Sequence, residues 1–129
     1  MSLYGRVVTF TQLTLFSGIA FRVPNNVVSL VDFNLRLNEK TTYRKVLEAI
    51  KEAAQKDELR NILDLTDKAV VATDMIRSTY SATVDCHAGD IVGENFCKLV
   101  AWHDNEWGYS RRLCELLWHV AKQDEKRGQ

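Results

Sequence analysis

VVSLVDFNLRL, residues 27–37, decides the architecture. Val27, Val31, Phe33, Leu35 and Leu37 fall on alternate positions, with Ser29 the one polar member of the row, while Asp32, Asn34 and Arg36 fill the gaps. Residues two apart share a face of an extended strand and neighbours point to opposite faces. The stretch therefore predicts a half-buried strand with one largely polar face.

The same reading extends in both directions. Upstream, SGIAFRVP (17–24) is an apolar run that stops at Pro24, the chain's single proline, which cannot donate to a ladder; a first strand is predicted there. Downstream, TTYRKVLEAIKEAAQK (41–56) predicts a helix capped by Thr41 or Thr42. Its apolar stripe, Tyr43, Val46, Leu47, Ile50, Ala53 and Ala54, follows the 3.6-residue period. NILDLT (61–66) follows as a strand and AVVATD (69–74) as a short extended piece. TYSATVDC (79–86) alternates, with Tyr80, Ala82 and Val84 on one side. NFCKLVAWHD (95–104) is apolar on both faces, as a central strand would be. SRRLCELLWHVAKQ (110–123) predicts a second amphipathic helix through Leu113, Leu116, Leu117, Val120 and Ala121, with Lys122 near its C-terminus. The polar end KQDEKRGQ (122–129) is expected to fray. The predicted order is β-β-α-β-(β)-β-β-α. Grouped strands with few helices make this an α+β fold with a mostly antiparallel or mixed sheet and two amphipathic helices.

At 129 residues the chain is one small domain or part of a larger one. Seventeen basic residues balance seventeen acidic ones, so no net field favours nucleic acid or an anionic membrane. The apolar stretch 14–23 is too short to span a bilayer and is interrupted by Ser17, Gly18 and Arg22; the start of the chain does not have the pattern of a signal peptide. Cys86, Cys97 and Cys114 form no CxxC, which fits a reducing cytosol. No GxGxxG or Walker pattern is present, and no strand–helix alternation of the Rossmann kind.

The chemistry concentrates at WHDNEWGYS (102–110), where a strand pattern turns into a helical one. Asn105 carries one acceptor and one donor group, the complement of a primary carboxamide such as that of nicotinamide, and Tyr109 could add a flat wall or a hydroxyl. A plainer reading has Asp104 or Asn105 capping the helix and Trp102 and Trp107 in the core. Arg22 stands inside an apolar run, where a guanidinium fork suits phosphate oxygens; pairing with Asp32 is the plainer alternative. Cys86 and His87 are neighbours whose side chains would diverge on a strand, so adjacency does not make them a nucleophile and base. Cys97 and Cys114 read as small buried hydrophobes, and His103 and His119 have no third ligand at metal spacing.

WHDNEWGYS followed by an amphipathic helix resembles the C-terminal signature of the phosphorylating glyceraldehyde-3-phosphate dehydrogenases. GIAFRVPNNVVSLVDFNLRL, LRNILDLTDKAVVATD and YSATVDC resemble further stretches of that family, in its order and near its spacing. The resemblance runs from about Ser17 to about Ala121 and divides the chain into a divergent leader (1–16), a partial catalytic domain (17–122) and a polar tail (123–129). It implies that Arg22 binds a substrate or inorganic phosphate, that Asn105 holds the nicotinamide carboxamide of NAD, and that Tyr109 lies beside the nicotinamide. It also implies glyceraldehyde 3-phosphate and inorganic phosphate as substrates, a homotetramer, a cytoplasmic location and a role in glycolysis.

The departures are specific. The family's Rossmann domain, its SCTTNC nucleophile stretch and its histidine base are not among these 129 residues, and the three cysteines do not match the nucleophile. Residues that would choose NAD over NADP lie in that unmatched half. Met75 and Ile76 stand where members often have Phe-Asn, and His103 where a tyrosine is common. The leader resembles neither the expected helix nor a clean strand, which points to an alternative start or a truncated gene model. In the family a cysteine thiolate attacks the aldehyde, hydride passes to NAD, and phosphate releases the acyl group. Arg22 and Asn105 assist those steps but cannot replace the thiolate, so the isolated chain is expected to be inactive. Alternative roles are a non-catalytic module that associates with full-length dehydrogenase subunits and an unrelated small binding domain. Apolar surface on the last helix is expected to be exposed.

Overall fold

The computed structural model describes residues 20–21 and 23–127. Four strands and two helices follow in the order β1 (Ser29–Arg36), α1 (Tyr43–Gln55), β2 (Leu63–Thr66), β3 (Ala82–Val92), β4 (Phe96–His103) and α2 (Asn105–Arg127). The sheet order is β1-β4-β3-β2. β4 pairs antiparallel with β1 and β3, and β2 joins β3 in parallel. The sheet is mixed, and the fold is α+β.

β4 is the central strand that its doubly apolar sequence predicts. Cys97 has no exposed surface, and Val100 and Ala101 are buried. The register sets Val31, Ala101, Val84 and Leu65 in a row across one face, with Phe33 and Leu99 beside them. On the other face Asp32, Val100 and Asp85 line up. α1 lies against β2 and β3. Thr42 caps it by accepting from the Lys45 amide, and the Tyr43 hydroxyl reaches the Asp85 carbonyl at 3.4 Å. A cap of this kind is worth about 1 kcal/mol.

Several expectations are corrected. β1 alternates as predicted, yet all eight of its residues are exposed; among the described residues it is the outer strand of the sheet, and α1 lies on the β2–β3 side. Of the strand predicted at 17–24, Ala20, Phe21 and Val23 are not in a strand, and the remainder, apart from Pro24, lies outside the described residues. The extended piece predicted at 69–74 is a 3₁₀ turn, Ala72–Met75. There Asp74 Oδ2 accepts from the Val71 amide at 2.9 Å, a local bond that competes with strand pairing. α2 continues to Arg127, so the polar residues 123–127 extend the helix instead of fraying. Lys122 is therefore not at its end and stacks on the Trp118 ring at 4.9 Å. Cys114 is exposed rather than buried.

Candidate functional site

The corner is built around Asp104. It sits between β4 and α2 and is only 4 % exposed. Its Oδ1 accepts from the amides of Glu106 (3.2 Å) and Trp107 (2.9 Å), two of the donors a helix start leaves without partners. Its Oδ2 accepts from the Arg77 amide at 2.8 Å, tying the loop before β3 to the same point. Burial alone would raise the Asp104 pKa. The amides of Trp107, Arg77 and Glu106 outweigh it and hold the carboxyl below its ordinary range.

Arg77 adopts a left-handed backbone (φ 66°), and its guanidinium lies 5.9 Å from the centre of the Trp107 ring. Gly108 is buried against β4, where a Cβ would press on the Tyr80 carbonyl at 3.0 Å, so a side chain there would push that carbonyl back by a few tenths of an ångström. One turn on, the Arg112 guanidinium binds the Asn61 carbonyl and Ser81 Oγ, both at 3.2 Å, and Glu115. Hydrogen bonds from Arg111, against which burial acts, and from Arg112 hold Glu115 below the ordinary glutamate range. Sequence reasoning missed Arg77 and Arg112. Both act on partners far away in the chain, which no local pattern announces.

With Asp104 as cap, Asn105 is left exposed, and its side chain makes no hydrogen bond among the described residues. Tyr109 is 65 % exposed. The two are four residues apart in α2 and share one helix face. Arg22 lies outside the described residues. Asp32, its alternative partner, is held by Lys98 Nζ at 2.8 Å. Ser29 of β1 pairs with His103 of β4, so the segment leaving FRVP enters the sheet at the end where α2 begins. Val28 there is buried and left-handed (φ 75°), unusual for a β-branched residue.

Trp102 and Trp107 do not form a core. Trp102 is part-buried and donates from its indole N–H to Asp85, and Trp107 is 48 % exposed. His103 Nδ1 is buried without a hydrogen-bond partner among the described residues. Cys86 is half-buried, and burial pushes its thiol pKa up, the reverse of an activated nucleophile. His87 Nε2 lies 2.6 Å from the Asp67 carbonyl oxygen.

Comparison with known proteins places this arrangement. The model of the glyceraldehyde 3-phosphate dehydrogenase C-terminal domain matches residues 8–105. The chain belongs to this family. It is 46 % identical over 110 residues to glyceraldehyde-3-phosphate dehydrogenase of Phaffia rhodozyma, covering 85 % of this chain and 32 % of that protein. It is 48 % identical over 106 residues to the cytosolic glyceraldehyde-3-phosphate dehydrogenase of Chlamydomonas reinhardtii, and equally to the glyceraldehyde-3-phosphate dehydrogenase of Chlamydia pneumoniae, covering 82 % of this chain and 31 % of each. The chain thus spans about a third of the length of these dehydrogenases, and the matched part is their C-terminal domain. Among the described residues no helix is long and apolar enough to cross a membrane, and no group of three or more His, Cys, Asp or Glu is set to hold a metal ion.

Proposed function

We propose that this chain supplies the phosphate-binding and nicotinamide-orienting part of an NAD-dependent phosphorylating glyceraldehyde-3-phosphate dehydrogenase of glycolysis, cytoplasmic and tetrameric in its complete form. One observation carries the reading. The Asp104 cap leaves the Asn105 carboxamide exposed at the first turn of α2, on the same helix face as Tyr109. An amide with a free donor and a free acceptor fits the nicotinamide carboxamide, so these residues suit the cofactor at that end. Bound NAD would supply the hydride acceptor. Asn105 fixes the rotation of the ring, Tyr109 walls it, and Arg22 neutralises phosphate charge. The approach of 23–28 to the His103 end of β4 supports bringing Arg22 and Asn105 to one side.

These 129 residues contain no SCTTNC nucleophile stretch and no GxGxxG, so alone they do not turn over the aldehyde. The experiment mixes the purified chain with glyceraldehyde 3-phosphate, phosphate and NAD and follows NADH absorbance; no turnover is expected. In parallel, nicotinamide and inorganic phosphate are titrated against the chain's NMR spectrum. Nicotinamide should perturb the Trp107 and Tyr109 signals in a way that Asn105→Ala abolishes, and phosphate should act through Arg22. Unaided oxidation of the aldehyde, or nicotinamide shifts indifferent to Asn105→Ala, would overturn the proposal.

A second reading, an interaction module for full-length dehydrogenase subunits, has its own support in α2. Leu113, Leu116, Leu117, Trp118 and Val120 are all exposed. Retention of a full-length dehydrogenase on the immobilised chain, lost when Leu117 and Trp118 are made polar, is the result this reading requires.

A further inference from the structure

We infer that Asp104 is a positioning residue: by tying the first turn of α2 to the segment before β3, it sets the direction in which the Asn105 carboxamide is presented. The inference rests on the nicotinamide reading of Asn105 above and adds what aims that side chain. The Asn105 side chain makes no hydrogen bond among the described residues, so its direction is that of the backbone carrying it. That backbone is shaped by its neighbour. Asp104 Oδ1 accepts from the Glu106 and Trp107 amides at 3.2 and 2.9 Å. The Asp104 carbonyl accepts from the Gly108 amide at 2.9 Å. These bonds lie within the turn. They give it its shape and leave open where it points.

The second carboxylate oxygen carries the link outward. Asp104 Oδ2 accepts from the Arg77 amide at 2.8 Å. The segment that supplies this amide is itself braced. The Ser78 amide donates to the Met75 carbonyl at 3.1 Å, and Val71 and Asp74 bond each other in both directions at 2.9 Å. A second contact follows four residues along α2, where the Tyr80 carbonyl lies against Gly108. Residues 77–80 thus meet the first turn of α2 at its start and at its end, and they lead into β3, which pairs with β4. The turn is fixed relative to the sheet at two points. Reciprocal hydrogen bonds to a planar carboxamide need such fixing, because a hydrogen bond weakens steeply when bent. A side chain held by a braced backbone meets its ligand already aimed.

The test uses the full 129-residue chain, with nicotinamide as the probe and the Tyr109 NMR signal as the readout. Asp104→Asn and Asp104→Ser both keep a cap for α2 but offer no second acceptor to the Arg77 amide. Each should raise the nicotinamide dissociation constant roughly tenfold while circular dichroism shows α2 still folded. Without ligand, the residual dipolar couplings of the 105–107 amides, measured against those of β4, should change in both variants. Asp85→Ala weakens the sheet at another place and should bind nicotinamide as the parent chain does. Undiminished binding by Asp104→Asn and Asp104→Ser, in a parent chain that responds, would overturn the inference and leave the nicotinamide reading standing. A parent chain that ignores nicotinamide would overturn that reading and the role of Asp104 with it. Weaker binding with unchanged couplings would overturn positioning in favour of the lost carboxylate charge. Equal weakening by Asp85→Ala would overturn it in favour of a general loss of stability.

Discussion

Asp104, and not its neighbour Asn105, caps α2. Their sequence alone leaves open which of them caps α2, since both side chains are good caps. Tertiary context decides it: only Asp104 also meets the Arg77 amide, contributed by a loop 27 positions earlier. Asp104→Ala removes the cap and the acceptor of three part-buried amides and should cost about 1–2 kcal/mol in urea denaturation. The pH dependence has a definite sign. A carboxyl whose folded pKa lies below its unfolded value stabilises fully above the unfolded value, near 4, and loses that contribution as pH falls through the folded one. The Asp104→Asn variant should therefore show a flatter stability profile in acid than the parent chain. Asn105→Ala is the contrasting case. Its side chain holds nothing among the described residues, so the unfolding free energy should stay within about 0.5 kcal/mol of the parent while the nicotinamide response proposed above disappears.

Among the elements, β3 carries the feature least legible in advance. Its pairing with β4 is regular through Asp85↔Val100 and resumes at Asp90↔Lys98, so residues 86–89 bulge opposite Leu99. The Asp85 carboxylate closes this bulge: Oδ1 accepts from the amides of His87 (2.9 Å) and Ala88 (3.1 Å), and Oδ2 from the Trp102 indole (3.1 Å). TYSATVDC shows its strand by alternation, and NFCKLVAWHD shows its central place by double-sided apolarity. The bulge leaves no such period, because it depends on a side chain bonding across to another strand. The same limit explains the turn at Ala72–Met75, where one aspartate overrides an extended preference. Asp85→Ala should cost about 1–3 kcal/mol by removing the acceptor of the part-buried Trp102 indole and of the bulge amides, and Trp102 fluorescence should report the loss. Gly89→Ala should be worse tolerated than an ordinary strand substitution. Its Cβ would press on the Lys98 carbonyl and the Tyr43 hydroxyl, so either β4 or α1 must shift.

Across the whole molecule, the amphipathic stripe of α2 was readable at the right spacing, but spacing does not say what lies opposite. α2 is roughly 34 Å long at 1.5 Å per residue, and among the described residues its first turns are the ones anchored, through Gly108 and Arg112. Beyond them Leu116, Leu117 and Trp118 are each more than half exposed. The chain spans about a third of the length of the relatives it matches. For the chain by itself the consequence is physical: an apolar row without a partner binds apolar molecules. A hydrophobic dye should fluoresce with the folded chain, and replacing Leu117 and Trp118 together by Gln should suppress most of that signal. Because these side chains bury little, each replacement should shift unfolding in urea by no more than about 0.5 kcal/mol. Loss of the dye signal with a large loss of stability would mean that α2 folds back on the sheet in solution. Retention of the signal would move the sticky surface to the exposed face of β1, which Phe33→Gln then tests in the same assay.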